Sequence, residues 1–316
     1  MNRYTIGLRV FVATVALVGP SVCPQVGAET ASAAQPMLIR NDLGTIDFPN
    51  DGAQDAQQAF LTGVKALYSF EFNEAADAFR IAQETDPGFA LAYWGEAISY
   101  NHALWQETDP GTALSVLNKF APSPEARQIK TPAGIQRGLM SAVDTLFGNG
   151  NKLRRDIAYS EAMQNLHQAY PDDNEVAALY SLSILGTVRQ GDKGVGRQMH
   201  AAAIAQSVLT NNPNHPGAAH FIIHALDDPE HAVLALPAAR TYAGIAPGAP
   251  HALHMPSHIF VQLGMWEDVV SSNIKSYEAA EKVALKNNME RGRSEFHSLS
   301  WLLYGYTQLG NFTEAK

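Results

Sequence analysis

Pro213-Asn214-His215-Pro216-Gly217-Ala218-Ala219-His220-Phe221-Ile222-Ile223-His224 is followed 34 residues later by Pro247-Gly248-Ala249-Pro250-His251-Ala252-Leu253-His254-Met255-Pro256-Ser257-His258. Pro213 matches Pro247, Pro216 matches Pro250, Ala218 matches Ala252, and the pair His220/His224 recurs as His254/His258. An offset of that size is the period of a stacked helix-turn-helix unit. Residues four apart lie ~40° apart around a helix, so each histidine pair shares a face. The expectation is that four imidazoles converge on one surface. Convergent neutral imidazoles suit copper, zinc, iron, nickel or manganese, and residue types alone do not choose among these metals.

Outward from this stretch the same period continues. From Phe60 to Pro87, small residues (Gly63, Ala75, Ala82) alternate with large ones (Phe72, Phe79), as two antiparallel helices in close contact require, and Pro87 sits where a further helix begins. This register resembles the tetratricopeptide repeat (TPR). The resemblance implies an all-α solenoid, a right-handed superhelix whose first helices line a concave groove. It covers about residues 60–316, apart from an insertion near 121–151 in which Pro122, Pro124, Pro132 and Gly148-Asn149-Gly150-Asn151 bracket an extra helix at 132–147. The histidine helices are expected at 216–227 and 250–263, with second helices at 229–243 and 266–286 and a last first helix at 296–308. Pro256 disfavours helix at Met255 and predicts a kink there.

In the TPR register the fifth and ninth positions of each repeat face the groove, and these are His220, His224, His254 and His258. His251 and His297 fall at second positions and His102 at a thirteenth, also groove-facing in that family. All seven are therefore candidate metal ligands. Trp94, Asn101 and Tyr304 are candidate groove-lining residues. Tyr93-Trp94-Gly95-Glu96-Ala97, Asn101-His102-Ala103-Leu104-Trp105 and His254-Met255-Pro256-Ser257-His258 also resemble a narrower set of exported bacterial TPR proteins. That likeness implies a shared fold and brings no activity with it. Asp227-Asp228-Pro229-Glu230 reads as a helix cap. His215 and His231 read as solvated turn residues, and His167 and His200 as surface or packing residues on second helices.

Arg3 and Arg9 precede an apolar run, Val10 to Val18, with Val26-Gly27-Ala28 beyond it, which reads as a secretory signal over 1–28. The run is too short for a spanning helix, so a periplasmic or secreted protein without an integral membrane segment is expected. Residues 29–56 read as a flexible or contact-ordered lead-in, ahead of the repeats at 57–316. Cys23 is the sole cysteine, and its loss with the signal leaves no thiol for disulfides, thiolate ligands or nucleophiles. With 22 basic against 31 acidic residues the chain lacks the basic surface that phosphate binding needs, which argues against nucleic acid.

Gly-x-Ser-x-Gly, His-Glu-x-x-His and Cys-x-x-Cys-His segments are missing from the sequence, so these hydrolase and haem chemistries lack support. Two function classes remain. One is an exported protein that binds a transition metal through its histidine cluster, for metal handling or metal-assisted chemistry. The other is a periplasmic adaptor without metal whose groove takes a peptide or protein partner. The sequence leaves open whether the chain is an enzyme. For the first class, the free-histidine pKa places metal release toward pH ~5.

Overall fold

A computed structural model describes residues 40–286 and 296–316. The expected signal and the first part of the lead-in, to residue 39, lie outside the described residues. From Arg40 on, the lead-in is packed against the repeats. Thr45 N donates to Asn214 O (2.9 Å), Arg40 Nη2 donates to Gly248 O (2.7 Å), and Leu43 and Phe48 are buried. This segment thus fastens the start of the described chain to the turns that precede the histidine helices.

The first hairpin is α1 (Gln57–Tyr68) with α2 (Phe72–Thr85). Gly63 and, on the next helix α3 (Ala90–Ile98), Gly95 are glycines because the Phe79 ring fills the space where a Cβ of either would stand. Phe60, Phe89 and Phe48 complete an aromatic core, with ring centroids 4.7 Å apart for Phe60–Phe89 and 5.4 Å for Phe48–Phe60. Such pairs contribute roughly 0.5–1.5 kcal/mol beyond their burial.

After α3 the chain leaves helix for a small antiparallel ribbon, β1 (Asn101–His102) with β2 (Glu107–Thr108). Next come α4 (Pro110–Phe120), α5 (Pro124–Lys130), α6 (Ile135–Leu146) and α7 (Lys152–Ala169). The insertion was expected to hold its extra helix at 132–147. That helix is α6, which packs on α3 and pairs with α7, and the insertion also holds the short α5, packed on α6. Its start is set by Ser123, whose Oγ accepts from Ala126 N, with Pro124 at the first helical position.

The remaining hairpins are α8 (Asn174–Leu185) with α9 (Gly196–Asn211), and α10 (Pro216–Ala225) with α11 (Ala232–Ile245). Beyond them α12 (Pro250–His254) and α13 (Pro256–Gln262) are one first helix divided at Met255, and both pack on α14 (Trp266–Lys286). Met255 keeps right-handed helical angles (φ −53°, ψ −36°), so the proline interrupts the hydrogen-bond ladder without turning the chain away. Finally α15 (Phe296–Gln308) packs on α14. The result is the expected all-α stack of helix pairs. Among the described residues no helix is long and apolar enough to cross a membrane.

One long-range contact shapes the site: α1 lies directly on α10. The face of α10 expected to line an open groove is therefore covered by the first hairpin.

Candidate metal centre

His220 and His224 project from α10, one turn apart. Pro216 starts that helix, and the side chain of His215 caps it by accepting from Ala218 N (3.0 Å). His215 is fully buried, and its Nε2 lies 3.3 Å from Glu175 Oε2, so it is an interior cap and not a solvated turn. Its other neighbour, Tyr68, donates its hydroxyl to the same carboxylate (2.8 Å).

The six histidines of α10, α12, α13 and α15 do not meet at one point. They form two triads, His220/His224/His251 and His254/His258/His297, and within each the ligand atoms lie within 4.8 Å of one another. Each triad takes two rings from one first helix and the third from the first helix of the following repeat. His220, His224, His254 and His258 were expected to share a surface. They do so only as halves of two adjoining clusters, with 6.4 Å between the His224 and His258 ring centroids and 6.3 Å between His251 and His254.

In the first triad His220 is interior and the other two rings are half-buried. His220 is wholly buried between the Phe70 ring (centroids 4.3 Å apart) and the stacked Tyr242 ring (5.1 Å). Its Nδ1 meets the carbonyl of Tyr68 at 2.7 Å; the carbonyl can only accept, so this nitrogen carries the proton and Nε2 carries a lone pair. That Nε2 lies 3.1 Å from His251 Nε2. His224 Nε2 is buried and has no hydrogen-bond partner, which leaves a polar atom directed into the cluster with nothing to satisfy it. Phe70 also touches His224 and His251, and it holds φ +57°, a conformation costly for an aromatic residue. The strained turn between α1 and α2 thus presses this ring onto all three histidines.

The second triad is held by side chains. His254 Nδ1 meets Asn273 Oδ1 at 2.6 Å, and Asn273 Nδ2 donates to Val269 O, which fixes the amide so that its oxygen faces the ring. His258 Nδ1 donates to Asp227 Oδ2 (2.7 Å), and Gln262 Nε2 donates to the other oxygen (3.0 Å). Both Nδ1 atoms are therefore donors, and the two Nε2 atoms face each other 3.1 Å apart. Trp301 lies against His258 (4.5 Å) and His254 (5.1 Å), and His297, on α15, is exposed.

Burial governs the charge of these rings. Desolvation pushes His220 down to about 3 against an ordinary 6.5, opposed by the bond to Tyr68 O. His254 is likewise lowered to about 3 by burial and by the neighbouring His258. His224 and His251 are driven well below the usual histidine range by burial and the surrounding imidazoles. For Asp227 burial works upward, but the His258 hydrogen bond and charge outweigh it and the carboxyl stays below its ordinary value. His220, His224, His251 and His254 are thus held toward the neutral imidazole that metal ligation requires.

Other sequence candidates lie elsewhere. His102 is outside both triads: α3 ends at Ile98, so the ribbon carries His102 away to stack on Phe72 (4.1 Å) and face Glu107. Trp94 does not line a groove; Phe48 of the packed lead-in covers it and it is fully buried. Asn101 lines a cavity with Phe70 and Phe72, and its Oδ1 accepts from Lys152 Nζ (3.1 Å). Tyr304 is exposed against the edge of Trp266. Asp227 does not cap a helix: α11 begins only at Ala232, and Asp228 alone organises that turn by accepting from the backbone of Glu230 and His231. His231 Nδ1 is held by the same Asp228 (2.8 Å). His167 and His200 pack on Tyr180. Phe70, Asp227 and Asn273 are the site residues that sequence reading missed.

Neither a protein-family model nor a curated protein sequence matches the chain. Solved structures similar to it include human IFIT1 in a dimer with PPP-AAAA, at 14% identity over 82% of this chain and 70% of that one (TM-score 0.38). Two others are the TPR domain of P58(IPK), at 14% identity over 82% and 66% (TM-score 0.29), and yeast Tom70, at 13% over 88% and 61% (TM-score 0.36).

Proposed function

We propose that the chain is an exported helical-repeat protein that binds transition-metal ions, one in each histidine triad. The observation that carries the reading is the pair His254 and His258. The Nδ1 atoms of these rings are committed to Asn273 and Asp227, which leaves both Nε2 atoms facing each other 3.1 Å apart, placed as two ligands of one cation would be. The unsatisfied Nε2 of His224 supports the same reading for the first triad. Hydrogen-bonded outer nitrogens are also what fixes the orientation of metal-bound imidazoles. Export rests on Arg3, Arg9, the apolar run to Val18 and Val26-Gly27-Ala28.

Three imidazoles per ion leave one position of a tetrahedral site open, which suits metal-assisted chemistry as well as metal handling. Elemental analysis of the exported protein, purified without a metal-binding tag, tests the reading. Two ions of copper, zinc, iron, nickel or manganese per chain, lost on chelation, are expected. A protein that is metal-free and cannot be loaded would falsify it and leave the peptide- or protein-binding adaptor.

A further inference from the structure

Resting on that metal reading, we propose that the two triads form a single two-ion centre that takes one small inorganic monoanion, of the class of hydroxide, halide or azide, as a bridge between the ions. Each triad provides three neutral nitrogens and no anionic ligand. Two divalent ions would bring four positive charges into a pocket where the carboxylate held by a ligand ring is that of Asp227. The Glu71 carboxylate accepts from the backbone N of His251, at 3.3 Å. Even with both counted, the positive charge is in excess, and excess charge held away from water is costly unless an anion accompanies it.

The geometry says where that anion goes. His224 contacts His258 and His251 contacts His254 across the boundary between the triads, so the ions would lie within reach of a one-atom or three-atom bridge. In the first triad His220 is closed off by Phe70, Tyr242 and the Tyr68 carbonyl, and His224 and His251 are half-buried. The second triad opens to solvent at His297, while the His258 side chain keeps 19% of its exposure. An anion therefore enters past α15 and meets the open position of each ion on their shared side. Two-metal centres with such a bridge hold a nucleophile or small substrate between the ions.

The test loads chelator-stripped full chain with copper(II) alone, then titrates azide while absorption and electron paramagnetic resonance are followed. Two copper(II) ions sharing a bridge pair their spins antiferromagnetically. The expected result is two coppers per chain, a spin count far below the copper count, and one azide bound per pair of ions. In His297→Ala, whose substitution lies on an exposed edge, the paired signal should give way to one full-spin copper and azide uptake should be lost. Two coppers with full spin count, or azide bound separately at each, overturn the bridge and leave the metal reading standing. A single copper per wild-type chain also overturns the bridge. If neither copper nor zinc binds, both readings fall together.

Discussion

The two triads are built from copies of one repeat, yet they are finished differently. In the first, His220 is clamped by a backbone carbonyl and by an aromatic residue from a strained turn more than a hundred residues earlier. In the second, His254 and His258 are set by an amide from α14 and a carboxylate from the turn between α10 and α11, and the third ring stands at the surface. The difference teaches that duplication supplied the ligand pairs, whereas separate long-range packing decided how accessible each cluster is. The first triad reads as a locked site, the second as an exchangeable one.

The largest effect that would break this comparison is pH-dependent stability of the metal-free protein. An unfolded chain protonates its histidines below ~6.5. The folded chain holds His220 and His254 neutral down to about 3. The unfolded state thus binds more protons throughout the interval, so stability is fullest above ~6.5 and declines as pH falls toward 3, by an order of a few kcal/mol per ring. Urea midpoints at several pH values should show this, and His254→Gln should flatten the profile more than His297→Gln. Equal slopes in all three proteins would mean that the buried rings protonate freely. The same burial revises the window for metal loss. Rings that stay neutral to about 3 compete with protons less than free histidine does, so the first triad should keep its ion at pH ~5.

Next in size is the cost of removing a ring without metal present. His220→Ala empties a space between Phe70 and Tyr242 and strands the Tyr68 carbonyl, and should destabilise the metal-free protein by ~2–4 kcal/mol. His297→Ala, at the surface, should stay within ~0.5 kcal/mol. Denaturant titration of both variants checks the contrast, and a neutral His220→Ala would show that the first triad is not locked. Phe70→Gly offers a sharper version, because it relieves the backbone at φ +57° while removing the aromatic cover. Its chelator release of the first ion should become as fast as that of the second.

Much of this arrangement can be read from residue spacing. The 34-residue offset places the pairs, the proline split at Met255 is where it was expected, and α15 spans the residues assigned to it. The second-position residues His251 and His297 were also legible as groove-facing. Their grouping was not, because it depends on how far one repeat is staggered over the next. That stagger sets His251 beside His220 and His297 beside His254, while Gly217, the counterpart of His251, lies under Tyr68 with no room for a side chain. Phe70 sits in a turn, outside any helical period. Asn273 sits on a second helix, where nothing in its neighbours marks it. His102 was misplaced because its helix ends four residues early, and Trp94 because the lead-in that covers it has no periodicity to announce that it packs.

Asp227 is the missed residue for which a signal existed. It follows His224 by three residues, on the side that faces the next repeat, and an acidic residue at that spacing can reach a ring one repeat away. Its carboxylate orients His258 and raises the electron density at Nε2, so its effect should be largest at the second triad. Asp227→Asn keeps the shape and one acceptor but removes the charge, and should weaken the second ion's binding by ~10–100-fold. The first ion should be weakened less, through the shared bridge alone, since no hydrogen bond joins His220, His224 or His251 to this carboxylate. Metal titration monitored by calorimetry would resolve the two steps. Equal weakening of both would mean that Asp227 acts on the centre through its charge and not through His258, while no weakening of either would reduce this carboxylate to a partner of Gln262.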